Sequence, residues 1–246
     1  MIDTESVAEI EAAAYRAWPA RETVEYDGWQ LRFADGFSRR GNSVYPARRS
    51  ALSHDEKLDW CRSWYLDRGA PLIVRQTPAS EAGLDRVLSG AGFTLEGRTV
   101  VMTADLGEMR GPADNLPAVP GSEWWDAAAE LWQIPQQWRA GWRGIIERID
   151  HPAAFVQRSG SDGPQAAGLA VVVGEWLGLF EIIVRDDLRR SGVGGSITRL
   201  LMGWGRHAGA RRAFLQVVED NEPAIALYTA LGFAPAYTYW YRRAPT

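Results

Sequence analysis

A single cysteine, Cys61, excludes an internal disulfide and a cysteine-rich metal centre. It falls where a predicted helix presents its apolar face, so it reads as a small buried hydrophobe. Histidine is scarce as well. His54, His151 and His207 are scattered without ligand spacing, and no metal is expected. The chain also lacks a long unbroken apolar run. Its nearest approach, AAGLAVVVGEWLGLFEIIV, is interrupted by Gly174, Glu175 and Glu181 and is rich in β-branched residues, which reads as two strands joined by a turn, with no membrane partner. The first residues, MIDTESVAEIEAAAYRAW, are acidic and mixed, unlike a secretory signal, so a cytoplasmic location is expected. Positive charge is not in excess either. A net charge of -4 weighs against a nucleic-acid partner and mildly suits an amine-bearing one.

What is present suits an ordinary soluble protein: 246 residues, 46% hydrophobic and 24% charged, enough for one large domain or two small ones. Pro and Gly concentrate in GEMRGPADNLPAVPGSE between patterned regions. The expected division is a first lobe over residues 1–110, a linker over 111–121 and a second lobe over 122–246. In the first lobe, Val7, Ile10, Ala14 and Trp18 follow helical spacing, and TVEYDGWQLRFADG alternates like a hairpin. Ser53 and Glu56 form a capping box before a helix bearing Leu58, Cys61 and Tyr65. A strand (PLIVRQT), a helix closed by glycine (EAGLDRVLSGAGF) and a strand (RTVVMTADL) complete it. The second lobe opens with a helical, Trp-rich region. Strands AAFVQR, AGLAVVV and LGLFEIIV follow, then a helix with Ile197, Leu200, Leu201 and Trp204 on one face. Strand AFLQVV, helix EPAIALYTALGF and strand AYTYWYRR close the chain. An internal echo links the lobes: aligned on Gly92-Phe93 and Gly232-Phe233, Gln76 matches Gln216, and Leu88 stands where Tyr228 is.

Between LGLFEIIV and the amphipathic helix lies RRSGVGGS. Glycines at 192 and 194 let the main chain pass close to a ligand, and the free N–H groups of the helix's first turn face outward. The helix dipole favours an anion there by about 0.3–1 kcal/mol when exposed. Arg189 and Arg190 can add charge-assisted bonds of about 1.5–3 kcal/mol each, which together suits a pyrophosphate. Glycine turns are common, but here an R-x-x-G-x-G stretch follows a strand, opens a helix, and is succeeded by a strand and N-x-x-A-x-x-L-Y-x-x-x-G-F. In this chain those last positions are Asn221, Ala224, Leu227, Tyr228, Gly232 and Phe233.

That ordered set, spanning roughly residues 153–243, resembles the GNAT superfamily of acetyl-CoA-dependent N-acyltransferases. The whole resembles its tandem-lobe members with a degenerate first lobe. The resemblance implies an α/β fold, each lobe a mixed sheet splayed at its centre and flanked by helices. It implies transfer of an acetyl group from acetyl-CoA to a primary amine by direct attack in a ternary complex. It also implies roles for residues. The amides of Arg189, Arg190, Ser191, Gly192, Val193 and Gly194 would hold the coenzyme pyrophosphate, continued by Gly195 and Ser196. The backbone of Ile182 and Val184 would pair with the pantetheine arm, Asn221 would contact it, and Tyr228 would protonate the departing thiolate.

Each role has a plainer rival. Asn221 before Glu222-Pro223 is a good helix N-cap without any ligand. Tyr228 sits beside Leu227 and Leu231 on an apolar stripe. Arg189 can be a solvated surface arginine, and Arg190 diverges from it. A general base is needed because an amine near pKa 10 must lose a proton. Glu181, alone in an apolar strand, is the candidate ahead of Asp150 and Asp186. Strict alternation points it opposite to Ile182 unless a bulge intervenes, and a structural pairing across the sheet is equally open. The cluster Trp124, Trp125, Trp132, Trp138 and Trp142 reads as packing rather than an acceptor wall, and Arg39-Arg40-Gly41-Asn42 reads as a solvated turn, with a contribution to the acceptor cleft from across the lobes as the lesser alternative. Only one strand follows the last helix where the family commonly has another, so the first lobe is a possible source of the missing sheet edge. Two other functions compete. One is a coenzyme-A-binding sensor without turnover. The other is a dinucleotide-binding fold with Glu219 as ribose-binding acid. The acceptor is not identified. Two fused lobes can mimic a dimer within one chain, which makes a monomer plausible.

Overall fold

Local sequence sets most element boundaries. In the computed structural model, which describes residues 2–47, 51–107 and 115–245, the Asp3 side chain accepts from Ser6 N at 2.8 Å and starts α1 (Thr4–Ala17). Val7, Ile10 and Ala14 of α1 are buried, as is Trp18 just beyond it. Strands β1 (Glu22–Tyr26) and β2 (Trp29–Phe33) form a hairpin turned at Asp27 and Gly28, both at positive φ, the geometry that matches strand twist. After the two-residue β3 (Val44–Tyr45), the Ser53–Glu56 capping box opens α2 (His54–Leu66), on which Leu58, Cys61 and Tyr65 are buried. Strand β4 (Ile73–Gln76), helix α3 (Leu84–Gly90) and the long β5 (Thr94–Asp105) complete this half.

Residues 111–114 of the expected linker, and 108–110 before it, lie outside the described residues. The Trp-rich region that follows forms two helices, α4 (Ser122–Leu131) and α5 (Gln136–Glu147), broken where Gln133 takes φ 49° and Pro135 precedes the second. Then come β6 (Ala153–Gly160), β7 (Gly163–Val173), β8 (Trp176–Val184), α6 (Val193–His207), β9 (Arg212–Val218), α7 (Glu222–Ala230) and β10 (Ala234–Arg243). The apolar run of residues 166–184 is indeed two antiparallel strands, with Gly174 at the turn.

The strands form one ten-stranded mixed sheet in the order β1-β2-β3-β4-β10-β5-β9-β8-β7-β6. Here the two halves exchange strands. Strand β5 does not return to β4 but pairs antiparallel with β9, from Thr99↔Val218 to Asp105↔Arg212. Strand β10 crosses the other way and pairs with β4, from Trp240↔Gln76 to Arg243↔Ile73. The missing edge beside β9 is therefore supplied by the first half. Helices α1, α4 and α5 cover one face around Trp124, Trp142, Phe180 and Phe214. The other face carries α6 and α7 over the second half and α2 and α3 over the first. Each large side chain fully buried in these layers contributes about 1.5–3 kcal/mol.

A buried ion pair anchors the exchanged β10. Arg75 Nη2 lies 2.6 Å from Glu11 Oε1, with both side chains essentially inaccessible. Tyr237 OH donates to the same oxygen at 2.5 Å, Arg75 Nη1 donates to Tyr241 OH at 3.1 Å, and the guanidinium lies over the Tyr239 ring. Three tyrosines of β10 thus close around charges from α1 and β4. Burial alone would depress a guanidinium's pKa, but Glu11 holds that of Arg75 well above its usual value.

Candidate functional site

The site grows from the end of β8. Its parallel pairing with β9 runs from Trp176↔Arg212 to Leu179↔Leu215 and then stops, while β8 stays paired with β7 through Val184. The two strands splay, leaving the edge of residues 180–184 that faces β9 outside the ladder. Beyond Val184 the chain is held by Arg185, which donates to Asp187 Oδ1 and to Asp162 Oδ2, each at 2.7 Å. It then makes a 3-10 turn, Asp186–Leu188, and rises into the glycine loop.

Arg190 (φ 62°) and Gly192 (φ 88°) both take left-handed conformations, which swing the main chain into the start of α6. A side chain added at Gly192 would meet no atom within 4 Å, so conformation requires that glycine and the space before it is open. The first main-chain bond of α6 runs from Ser196 N to Gly192 O at 3.0 Å, and no side chain caps the helix. The amides of Val193, Gly194 and Gly195 precede that bond and have no intrahelical acceptor. At Gly194 the space for a side chain is narrow. A Cβ there would lie 3.2 Å from Leu227 Cδ2 and 3.4 Å from Val184 Cγ2, so its smallness lets α6 close against α7 and β8. Arg189 pairs with Asp186 at 2.6 Å on the exposed surface, and the exposed Arg190 makes no ion pair among the described residues.

Glu181 sits on a bulge, but the bulge does not bring it to the side of Ile182. Ala167 pairs with Ile183 and Leu169 with Phe180, so Glu181 and Ile182 together oppose Gly168, and Glu181 takes φ 53°. The bulge aims its carboxylate to the α1/α4/α5 face, where Oε2 accepts from Trp142 Nε1 at 3.2 Å, while Ile182 packs against the α6/α7 face. A structural pairing across the sheet is not what the carboxylate makes. Burial pushes its pKa up to about 7, partly offset by the positive charge of Arg40 and the Trp142 hydrogen bond. Asp150 and Asp186 are both far more exposed.

Tyr228 is buried on α7, edge-on to Phe233, within the apolar layer that includes Val193 and Ile197. Its hydroxyl makes no hydrogen bond among the described residues, and burial raises its pKa to about 12. Asn221 caps α7, accepting from Ala224 N at 3.2 Å. Glu219 is engaged by Arg98 at 2.7 Å, which commits the carboxylate that a ribose reading needed.

The segment Arg39-Arg40-Gly41-Asn42 corrects the reading as a solvated turn. Gly41 and Asn42 are buried; Asn42 Oδ1 accepts from Ala34 N and Gly36 N, and its Nδ2 donates to the Phe37 and Ser38 carbonyls. Held this way, Arg39 and Arg40 line a cavity of about 420 Å³ together with Thr99, Gln216, Tyr239 and Tyr241. Of the tryptophans, Trp124, Trp125 and Trp142 are core residues, whereas Trp132 and Trp138 are exposed. Among the described residues no group of three or more His, Cys, Asp or Glu is placed to hold a metal ion, and no helix is long and apolar enough to cross a membrane.

Residues 4–242 match the model of the family described as probable histone acetyltransferase Rv0428c C-terminal. The chain belongs to that family. It is an acetyltransferase with the GNAT fold, in two lobes. It is 29% identical over 245 residues to a Bacillus subtilis protein named uncharacterized N-acetyltransferase YobR, covering 97% of this chain and 98% of that one. Among solved structures, a GCN5-related N-acetyltransferase from Kribbella flavida superposes with a TM-score of 0.70 at 17% identity, covering 97% of this chain and 95% of that one. A tandem GNAT protein from the clavulanic acid biosynthesis pathway superposes at 0.61 with 18% identity, over 96% and 88% of the two chains. In this GNAT chain the splay, the bulge and the glycine loop all fall in the second lobe.

Proposed function

We propose that the protein transfers an acetyl group from acetyl-CoA to a primary amine by direct attack within a ternary complex. In this reading residues 122–246 are the catalytic domain, and residues 1–110 are a lobe of the same ancestry without a pyrophosphate loop. The observation that carries the reading is the splay of β8 from β9 ending in a left-handed glycine turn at an uncapped helix start. These residues fit a coenzyme A thioester. The free amides at residues 193–195, with those of Arg190 and Gly192 before them, offer donors to a diphosphate, whereas the amides of Arg189, Ser191 and Ser196 are bonded to the Asp186, Leu188 and Gly192 carbonyls; Arg189 and Arg190 add charge at its rim. The edge of β8 at Ile182 and Val184 offers main-chain groups to the amides of a pantetheine arm, near the side of Asn221. Acetyl-CoA, when bound, supplies an acyl group activated as a thioester.

The chain's own groups then divide the proton work. Glu181, with a pKa near 7, takes a proton from the acceptor's ammonium, because burial has made it a far better base than a surface carboxylate. The amine nitrogen forms the new C–N bond and loses its second proton to solvent as the C–S bond breaks, and a solvent proton afterwards restores the Tyr228 hydroxyl. Tyr228 keeps its proton across the physiological range and gives it to the departing sulfur. A main-chain N–H on the splayed β8 edge polarises the thioester carbonyl. The cavity beside Arg40 lies on the same face as Glu181 and is the place for the acceptor.

The test is release of free thiol from acetyl-CoA with a panel of amines. Release that depends on an added amine is expected. Coenzyme binding without amine-dependent release would identify a sensor instead.

A further inference from the structure

The acceptor cavity carries charge of one sign. Its walls contain two guanidinium groups, those of Arg39 and Arg40, and no Asp or Glu. Arg39 is already engaged, donating to Glu96 Oε2 at 3.0 Å. Arg40 is not. Its guanidinium lies 5.1 Å from the centroid of the Trp18 ring and 5.3 Å from that of Phe180, which fixes its position. It makes no ion pair among the described residues, and its Nε is buried without a hydrogen-bond acceptor. Also on its lining, Gln216 Oε1 accepts from Tyr239 OH at 2.8 Å, which leaves the Gln216 Nε2 donor buried and without a partner. Two buried donors among the lining residues, one of them cationic, ask for an anionic acceptor group of small size.

From these two groups we infer that the acceptor amine also bears a carboxylate, held by Arg40 and Gln216 while its amine faces Glu181. The inference rests on the acetyltransferase reading above and adds the acceptor's class: a small amino acid or amino-acid-like zwitterion. A volume of about 420 Å³ takes such a molecule and lies at the small end of ligand sites. A strongly basic polypeptide segment meets the opposite situation, two arginines and no wall carboxylate. The arrangement also gives the first lobe a task. It supplies the specificity cation, while the second lobe supplies the transfer chemistry.

The experiment compares matched amines as acceptors: glycine, L-phenylalanine and L-lysine, their amides, the amines lacking the carboxylate, and a basic histone-tail peptide. Thiol release gives kcat and KM, and calorimetry of the three acids against the protein, with and without coenzyme A, reads the carboxylate site apart from turnover. The acids are expected to exceed their amides about ten- to a hundredfold in kcat/KM, mainly through KM, as a charge-assisted contact gives. Arg40→Gln is expected to erase that difference and the calorimetric signal of the acids. Equal or better use of the amides, preference for the basic peptide, or an acid preference that survives Arg40→Gln would overturn the inference while leaving acetyl transfer intact. Absence of acetyl-CoA binding with the acids still bound would instead strike the acetyltransferase reading.

Discussion

The unit β4–α3–β5 and the unit β9–α7–β10 are one pattern used twice, and they differ where chemistry would be placed. Both close their helix with a left-handed glycine before phenylalanine, at Gly92 and Gly232. Both send their last strand into the other lobe. In the second lobe the strand before the unit is nine residues long, splayed, and kinked at Glu181. The corresponding strand in the first lobe, β3, has only two residues and meets β4 in a single pair, Val44↔Val74. Leu88 is wholly buried where the second lobe has Tyr228. In place of a ligand cradle, the first lobe invests in the Arg75–Glu11 pair and in the Asn42-braced loop that presents Arg40. Under the proposed acetyl transfer, the second half holds the reaction's geometry and the first serves as wall and anchor.

The contrast is broken most severely at Glu181. Glu181→Gln is expected to lower kcat/KM by about 10²–10⁴. In the wild type, log kcat/KM should rise with pH up to about 7 and level off above it, since the base works when deprotonated. The variant should lose that limb. The same change should add stability at alkaline pH. A carboxylate raised from its ordinary value to about 7 binds more protons folded than unfolded between those limits, so wild-type stability falls as pH rises through that window. Denaturant titrations at pH 5 and pH 8 would show the variant gaining up to about 3 kcal/mol at the higher pH. Flat stability differences would place Glu181 in a less buried setting.

A change of similar size in stability belongs to the first lobe. Arg75→Met leaves Glu11 buried without its partner, and a loss of about 3–5 kcal/mol in denaturant unfolding is expected. A loss under 1 kcal/mol would mean that β10 is held by its ladder alone. Tyr228→Phe comes next. Turnover should drop by about a hundredfold, the lower range for a proton donor, with coenzyme affinity nearly intact. A matching loss of affinity would make Tyr228 a packing residue like Leu88. The smallest effect is at Cys61, buried in the first lobe with its thiol pushed up to about 12. Alkylating reagents should leave activity unchanged in the native protein, and inactivation would contradict that burial.

Sequence reveals features governed by neighbours along the chain. The Ser53 capping box, the Gly174 turn, the helix start at Val193 and the Asn221 cap are all short-range, and each is where residue chemistry places it. Periodicity identifies strands but carries no partner, so the exchange of β5 and β10 was legible only as an open sheet edge. A single isolated carboxylate in an apolar run was the available signal for Glu181; the bulge that was to turn it to the side of Ile182 is present, but the two side chains still face opposite ways. Arg40 was only the lesser alternative for the acceptor cleft because RRGN reads locally as a turn, and Arg75 escaped notice because charge in a buried strand runs against hydrophobic patterning. Gly194 was assigned to ligand approach, and its close contacts with Leu227 and Val184 are a packing feature that the sequence did not reveal.

That last point decides which substitution tests the coenzyme cradle. At Gly194 a side chain crowds Leu227 and Val184, whereas at Gly192 it meets open space and disturbs only a left-handed conformation, at a cost of about 1–2 kcal/mol. Calorimetric titration of coenzyme A into the wild-type protein and into Gly192→Val, with circular dichroism to verify that both are folded, is the most direct measurement. Saturable binding to the wild type that vanishes in the variant is the expected result. Equal binding by both proteins, or none by the wild type, would contradict the placement of the diphosphate on the amides that open α6.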